Sequence, residues 1–455
     1  MKSSILSIII ILLLAGAGVL WFNKSKGAGP VDKSAPFTIV ATANWDAQIE
    51  PCGCSPNQPG GLSRLATVIQ QQHLKNALMV DCGNVAASGY DPELTRFRYL
   101  LLGMQDLGYQ VINLGANEVT MGASHIRYFR DNYPHLKFVS ANVMDAQTGK
   151  SLVEPYQIVT LPTLKVGVTG VTTAGASQDL QIKKSDDAIK QVVSQLKGQV
   201  DLVVVLQDSP AKVMVYDRTG QLSWQGKVPD FGKAFKAQAA LDHLSQPQLT
   251  TLDIPFKTKP APDYVAKVNN YKRAVSSLEF DPSQFAPYSP FFGSKAKFVG
   301  DTTCATCHAQ AHAIWQKTPH AHAMAVLQKN NDEGRPECVR CHSVGYALPT
   351  GFKTLKETPR LANVQCESCH GPGAAHVAYY QKPQTTQTHE PPDYGAVGQQ
   401  FCVNCHDPEN DPKYHKLGFA RYWAKIKHGN ESSDSNKLSA KPSVREMLAA
   451  LDAQH

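Results

Sequence analysis

Four copies of the pattern Cys-x-x-Cys-His lie in the last third of the chain. Two thiols at this spacing can bond to the two vinyl groups of one porphyrin, and the next residue can then bring an imidazole nitrogen to the iron. Zinc sites and disulfide frameworks also use Cys-x-x-Cys pairs, but neither requires a histidine after every pair. The pattern therefore predicts four covalently attached c-type haems. The motifs are Cys304-Cys307-His308, Cys338-Cys341-His342, Cys366-Cys369-His370 and Cys402-Cys405-His406.

The motif histidines His308, His342, His370 and His406 supply one ligand to each iron, so a sixth ligand must come from elsewhere. Met324 is the only methionine among residues 298–430, so at most one iron can have His/Met ligation. A largely bis-His set predicts low reduction potentials, because methionine ligation raises the potential. Seven further histidines are available: His312, His320, His322, His376, His389, His415 and His428.

Several stretches around these histidines resemble the cytochrome c-554 family of tetrahaem electron-transfer proteins. They are residues 298–300, Trp315, 318–323, 338–346, 366–376, 422–423 and 426–428. The resemblance implies that His320, His376 and His428 are the distal ligands, and it leaves open which iron each one serves. It also allows one iron to lack a sixth protein ligand, which would permit chemistry on a small nitrogen species. His312, His322 and His415 are weaker candidates for this role, and we expect them at the surface.

Length and charge set broad limits on the whole chain. A chain of 455 residues suggests two or three domains. The formal net charge of +7 would be offset by the haem propionates, so it is poor evidence for nucleic-acid binding, and we expect no nucleic-acid partner. The haem region is short for four porphyrins, so we expect the cofactors, more than a conventional core, to supply its apolar surface.

Residues 5–22 are almost uninterrupted apolar, and Lys2, Lys24 and Lys26 flank them. As a helix this run would be about 27 Å long, close to the thickness of a bilayer core. The sequence predicts an uncleaved transmembrane anchor that holds the protein on the periplasmic side of the bacterial inner membrane. The alternative is a signal peptide cleaved near residues 15–17, which would release the protein into the periplasm or medium.

After a short linker, buried strands alternate with helical stretches. This alternation predicts an α/β layered fold in which ligands bind at the carboxyl ends of the strands. Strands are expected at 37–42, 77–81, 110–114, 137–141, 165–170 and 200–206, and helices at 62–75, 92–107, 124–131 and 264–278.

Motifs at these strand ends resemble the 5′-nucleotidase branch of the calcineurin-like metallophosphatases. They are residues 42–51, 60–67, 81–84, 115–118, 140–143 and 166–170, so the resemblance covers about 36–256. The family has Asp and His where this chain has Asn44 and Asp46, Asp at Asn84, and His at Asn117. A two-metal site depends on carboxylates and imidazoles. The resemblance therefore implies the fold with a degenerate site, and it implies no hydrolysis.

Eight of the eleven cysteines belong to the haem motifs, and the other three are Cys52, Cys54 and Cys82. An exported protein can hold a disulfide, so we expect one structural disulfide and one buried thiol. A redox-active or ligand-binding thiol cluster is the alternative.

Together these features predict five segments. They are an anchor and linker (1–35), a degenerate metallophosphatase-like domain (36–256), an interdomain helix and linker (257–297), a mainly α-helical and irregular tetrahaem domain (298–430) and a C-terminal tail (431–455). The predicted function is electron relay between a membrane donor and a soluble or outer acceptor. The alternatives are a haem enzyme acting on a nitrogen species, and an active phosphatase with an accessory cytochrome.

Overall fold

The computed structural model describes residues 33–51, 53, 57–87, 91–276, 295–382, 397–407 and 410–428. The predicted anchor at 5–22, the residues Cys52, Cys54 and His389, and the C-terminal tail lie outside the described residues. Within those ranges, no helix is both long enough and apolar enough to cross a membrane.

The described residues of the N-terminal half form thirteen strands, in two main sheets and a small β5–β8 pair. The six-stranded sheet has the order β13-β12-β1-β2-β3-β4, and the five-stranded sheet has the order β11-β10-β9-β7-β6. The strands are β1 (Phe37–Thr42), β2 (Ala77–Asp81), β3 (Val111–Asn113), β4 (Lys137–Val139), β5 (Val143–Asp145), β6 (Tyr156–Thr160), β7 (Lys165–Val171), β8 (Leu180–Ile182), β9 (Leu202–Gln207), β10 (Lys212–Asp217), β11 (Leu222–Lys227), β12 (Lys233–Ala239) and β13 (Gln248–Asp253).

Short and medium helices complete the described chain. They are α1 (Leu62–Gln71), α2 (Asp91–Asp106), α3 (Ala116–Met121), α4 (Ala123–Asn132), α5 (Ser185–Leu196), α6 (Pro262–Ser276), α7 (Asp301–Ala305), α8 (Ala309–Trp315), α9 (Ala323–Asn330), α10 (Pro336–His342), α11 (Cys366–His370), α12 (Ala374–Tyr380), α13 (Gln399–Cys402), α14 (Pro412–Leu417) and α15 (Phe419–Trp423).

The two sheets face each other, and helices cover their outer faces. Leu78 of β2 and Val204 of β9 belong to one fully buried cluster between the sheets. A second cluster joins the other face of the six-stranded sheet to α1, α2, α4 and α6, and a third joins the five-stranded sheet to α5. Because both faces of β1 and β2 are covered, every residue of β1 is buried, which explains its continuous apolar sequence. The predicted α/β layers are confirmed.

Strands β1 to β4 run parallel to one another, so their carboxyl ends meet at one edge of the sheet. The loops predicted to carry functional residues leave the sheet at this edge. Helix α6 begins two residues before its predicted start, and its apolar face (Tyr264, Val268, Tyr271 and Val275) packs in the core with α1 and α2.

The region from residue 295 onward consists of short helices and loops, as predicted. Eleven buried residues nevertheless form a small core around the second motif, including Phe298, Leu327, Val339 and Phe352. This motif thus has a small core of its own, and the expectation that the cofactors supply most of the apolar surface of the region stays a prediction. Among the described residues beyond 362, Phe401 and Tyr414 are the only buried hydrophobic side chains.

Candidate functional site

Each attachment motif is built on a helical turn. Helix α10 contains the whole second motif and helix α11 the whole third motif, from first cysteine to histidine. Cysteines three residues apart lie on the same face of a helix, so both thiols of a pair point to one side. In the first motif, His308 is the N-cap of α8, and in the fourth, Cys402 is the last residue of α13.

Three of the motif histidines face a second histidine across a gap of similar size. The ring centroids of His308 and His376 are 6.2 Å apart, and those of His320 and His406 are also 6.2 Å apart. His370 and His428 are 5.7 Å apart. Two imidazoles that each lie about 2 Å from a shared iron have centroids separated by about 6 Å. All three predicted distal histidines thus lie opposite a motif histidine, at a spacing that fits a haem iron.

Hydrogen bonds fix the tautomers of two motif histidines. His342 Nδ1 lies 2.7 Å from the carbonyl oxygen of Ala323, and because a carbonyl only accepts, Nδ1 must carry the proton. His406 Nδ1 lies 2.8 Å from Asp411 Oδ2 and is held in the same way. In both residues Nε2 is left with a lone pair for a metal. Burial, followed by the neighbouring His406 and His342, lowers the pKa of His320 to about 4.

His342 differs from the other motif histidines. In the described part of the chain, no histidine ring faces it at the spacing of the three pairs. His322 and His415 are exposed, as expected, and each bonds a backbone oxygen through Nε2. The surface prediction is wrong for His312, which is largely buried because its Nε2 lies 2.9 Å from Asp301 Oδ2 and its ring contacts Trp315.

The motifs also lie close to one another. The thiols of Cys304 and Cys366 lie close enough to interact, which brings together the first and third motifs. Cys341 and Cys405 do the same for the second and fourth motifs. The thiol of Cys369 is near enough to Cys402 for the two to interact electrostatically, which brings together the third and fourth.

In the N-terminal domain, the predicted degenerate site is a chain of side-chain amides. Asn44 and Asp46 follow β1, Asn84 follows β2, and Asn117 lies in α3 after β3. Asn117 Nδ2 donates to Asp46 Oδ1 at 2.7 Å, and its backbone N donates to Asn84 Oδ1 at 3.1 Å. Asn84 Nδ2 donates to Asn44 Oδ1 at 3.0 Å, and Asn44 Nδ2 donates to Asp230 Oδ1 at 2.7 Å. The four predicted residues therefore contact one another, and their amides bond each other or carboxylates.

The backbone here keeps an unusual shape. Asn44, Asp46 and Asn84 have φ values of 54°, 46° and 58°, in the left-handed region that Asn and Asp tolerate better than other side chains. Such strain is typical of functional sites.

The remaining acidic groups near this edge bond to protein donors. Asp81 accepts from Thr42 Oγ1 at 2.6 Å, Gly83 N at 2.8 Å and Trp45 Nε1 at 3.0 Å. Asp208 accepts from Ala116 N, Ser209 N and Thr173. Over the described ranges, no group of three or more His, Cys, Asp or Glu residues could hold a metal. These residues do not fit a two-metal centre.

Two further buried groups support the loops of the site. Glu118 accepts from the backbone N atoms of Asn84, Ala86 and Gly115, and its burial raises its pKa. Cys82 is a buried free thiol that donates to the backbone oxygen of Lys212 at 3.6 Å. Because Cys52 and Cys54 lie outside the described residues, the expected disulfide stays a prediction.

Asp230, which ends the amide chain, was missed by reasoning from the sequence. It lies 186 residues after Asn44, so no local spacing relates the two.

Comparisons with known proteins agree with both resemblances. Residues 303–371 match the family model described as cytochrome c554 and c-prime. Cytochrome c-554 of Nitrosomonas europaea is 34% identical over 93 residues, which are 17% of this chain and 40% of that protein. The 5′-nucleotidase of Vibrio cholerae is 24% identical over 221 residues, which are 45% of this chain and 38% of that protein. The chain thus spans about two fifths of the length of each of these relatives.

Among solved structures, the 5′-nucleotidase precursor from Thermus thermophilus aligns at a TM-score of 0.45 and 16% identity, over 72% of this chain and 74% of that chain. By sequence, the C-terminal region is similar to cytochrome c-554 and the N-terminal region to 5′-nucleotidases.

Proposed function

We propose that this protein is a membrane-tethered c-type cytochrome with four haems, which relays electrons on the periplasmic side of the bacterial inner membrane. The observation that carries the proposal is the pairing of three motif histidines with three distal histidines at 5.7–6.2 Å. The family match supports c-type haem. When bound, haem supplies one-electron transfer, and the protein supplies attachment, orientation and electrostatics.

The chain's own residues have separable tasks in this proposal. The eight motif cysteines attach the cofactors, and the paired histidines ligate iron. Ala323 and Asp411 orient His342 and His406. The thiol contacts between motifs favour a relay in the order first, third, fourth, second. A membrane donor and a soluble or outer acceptor would then exchange electrons with the two ends of this series.

Mass spectrometry of the exported protein tests the cofactor number. We expect four haem additions per chain and low-spin spectra for at least three of them. Three or fewer additions would contradict the proposal.

The apolar run at 5–22 supports a tether, because its length matches a bilayer core. The intact protein should fractionate with membranes and retain its first residues. An N-terminus near residue 18 would instead support release after signal cleavage.

We propose that the N-terminal domain acts as a scaffold without hydrolase activity. The support is the amide chain: two adjacent dications need bridging carboxylates, whereas Asn84 and Asn117 are neutral and bonded to one another. The full-length protein with manganese or zinc should hydrolyse nucleotides and generic phosphoesters no faster than the metal alone. Turnover above that blank, lost in Asp46→Ala, would show an active rearranged site.

A second candidate function is binding or conversion of a small nitrogen species at the second haem. The observation that favours it is the lack of a facing histidine at His342 among the residues described. We expect a high-spin signal from one haem in four and binding of one equivalent of nitric oxide per chain. An entirely low-spin protein that binds no nitric oxide would contradict this second candidate, and electron relay would be the remaining function.

A further inference from the structure

The N-terminal domain packs directly against the segment that precedes the second haem motif. Lys272 of α6 donates to the backbone oxygen of Asn330 at 3.0 Å and lies 3.1 Å from Asp332 Oδ1. At the end of α6, Ser276 approaches Gly334 so closely that a Cβ on Gly334 would lie 2.6 Å from the Ser276 Cα. Glycine is therefore the residue that lets these two backbones meet.

A cluster of charged side chains fills this contact around Glu337. Arg335 donates to Glu337 Oε1 through Nε at 3.0 Å and through Nη2 at 2.8 Å. Arg96 of α2 forms an ion pair with the same oxygen at 3.5 Å, and the Tyr271 hydroxyl donates to it at 3.3 Å. The side chains of Arg335, Arg96 and Glu337 are only 9%, 12% and 22% exposed. We call Glu93, Arg96, Tyr271, Lys272, Asp332, Arg335 and Glu337 the Glu337 cluster.

The charges of this cluster are nearly balanced. Arg96 also pairs with Glu93, and Arg335 also pairs with Asp332. Three cations thus face three anions in a poorly solvated space. Removing one partner leaves the opposite charge uncompensated, and a charge there is weakly screened.

The cluster is continuous with the haem motif. Arg335 is the N-cap of α10, and its backbone oxygen accepts from Cys338 N at 3.0 Å and Val339 N at 2.9 Å. Glu337 directly precedes Cys338 in the chain. Cys338 is itself buried in the small core formed by Phe298, Val339 and their neighbours. The first turn of α10 therefore links the N-terminal domain to an attachment cysteine.

We propose that the Glu337 cluster makes the N-terminal domain a positioning and electrostatic support for the second haem. It fixes the start of α10, and its balanced charges set the reduction potential of the haem attached to Cys338 and Cys341. A cation near a haem favours the reduced iron and raises the potential, whereas an anion lowers it. This inference rests on the proposed haem attachment.

Opposite substitutions separate a charge effect from a loss of structure. In the full-length holoprotein, Arg96→Met removes a cation and should shift one of the four midpoint potentials downward. Glu337→Gln removes an anion at nearly constant shape and should shift the same potential upward. Arg96→Lys should restore the wild-type value. The matched control is Arg98→Met, because Arg98 lies two residues away on α2 with its guanidinium over the Tyr128 ring, and it should shift nothing.

Gly334→Ala tests whether the contact with the N-terminal domain positions α10. A methyl group at this site should force the two backbones apart and accelerate hydrogen exchange in α10, while β1 and β2 keep their protection. Unchanged exchange in α10 would overturn the positioning role.

The attached haems are first counted by mass spectrometry, so that a failure of the proposed function can be distinguished from a failure of this inference. An unmodified protein without haem on Cys338 and Cys341 would overturn the proposed function itself. Four attached haems with unmoved potentials, or with both charge variants shifting one potential in the same direction, would overturn only this inference. If the Glu337→Gln protein does not accumulate, Arg96→Met and Arg96→Lys still test whether removal of a cation lowers the midpoint potential.

Discussion

The N-terminal layers and the region of the last two motifs reach order in different ways. In the layers, residues such as Leu78, Leu101 and Val204 are completely buried between sheets or under long helices. Among the described residues beyond 362, only Phe401 and Tyr414 are buried hydrophobics, and the helices there have four to seven residues. Helices this short are unstable alone. One region is held by its own side chains, and we propose that the other is held by its cofactors.

The second motif lies between these extremes. It has its own small core, and the Glu337 cluster attaches it to the N-terminal layers. The regions thus differ in how far their own side chains hold them together. Each expected effect that follows tests this difference, from the largest to the smallest.

The largest effect should follow loss of the fourth attachment site. Cys402→Ala combined with Cys405→Ala removes the links that hold α13 to α15 around a cofactor, so the backbone of 397–428 should exchange almost like an unfolded chain. Hydrogen exchange read by mass spectrometry measures this, with β1 and β9 as internal references. Cys82→Ala is the control, because this cysteine lies outside the motifs. Protection of α14 that survives without haem would show that this region folds on its own.

A smaller effect, confined to one haem in four, should follow His376→Ala. His376 faces His308 at 6.2 Å, so its loss should turn one low-spin signal into a high-spin one without lowering the haem count. Electron paramagnetic resonance measures the change. His322→Ala is the matched control, because His322 is exposed and bonded to the backbone oxygen of Gln316. A new high-spin signal in the control, or none in His376→Ala, would contradict the pairing.

Within the N-terminal layers, replacement of two neighbouring leucines should have very different effects on stability. Leu101 is 0% exposed and Leu102 is 43% exposed, on the same helix α2. Leu101→Ala should lower the free energy of unfolding of these layers by about 2–5 kcal/mol, because it leaves a cavity. Leu102→Ala should cost less than about 1 kcal/mol. Urea unfolding of both variants measures the difference, and equal costs would mean that α2 is not packed as described.

Much of the fold could be predicted because its signals are local. β1 and β2 have the predicted bounds, since both are largely apolar runs that are followed within three residues by Asn44 and Asn84. The position of the degenerate site could also be predicted, because its residues follow successive parallel strands. Helix α1 ends at Gln71, four residues before the predicted end, where no sequence signal such as a proline or glycine marks the stop.

The rest depends on contacts between distant segments. No spacing in the sequence relates His320 to His406 or Asn44 to Asp230, because these pairs form only when separate loops meet. The Glu337 cluster was missed for the same reason: Arg96 and Tyr271 lie on helices of one region and Glu337 in another. His312 was misjudged because a lone histidine gives no sign of its partner Asp301.

The smallest effect, measured per unit of pH, concerns Asp81, at the end of β2. Its burial raises its pKa from 3.8 to about 8, although bonds from Thr42, Gly83 and Trp45 oppose the rise. Between these values the native state keeps a proton that the unfolded chain releases. The stabilising contribution of Asp81 is therefore complete below about pH 4 and is lost as the pH rises to about 8, at no more than about 1.4 kcal/mol per pH unit. Urea midpoints at pH 5, 6, 7 and 8 should fall accordingly.

Asp81→Asn should reduce the slope of the urea midpoint against pH without removing it, because burial also raises the pKa of Glu118. The exposed Asp187→Asn should keep the full slope, and a slope unchanged in Asp81→Asn would show that Asp81 is ionised in the native protein throughout this range.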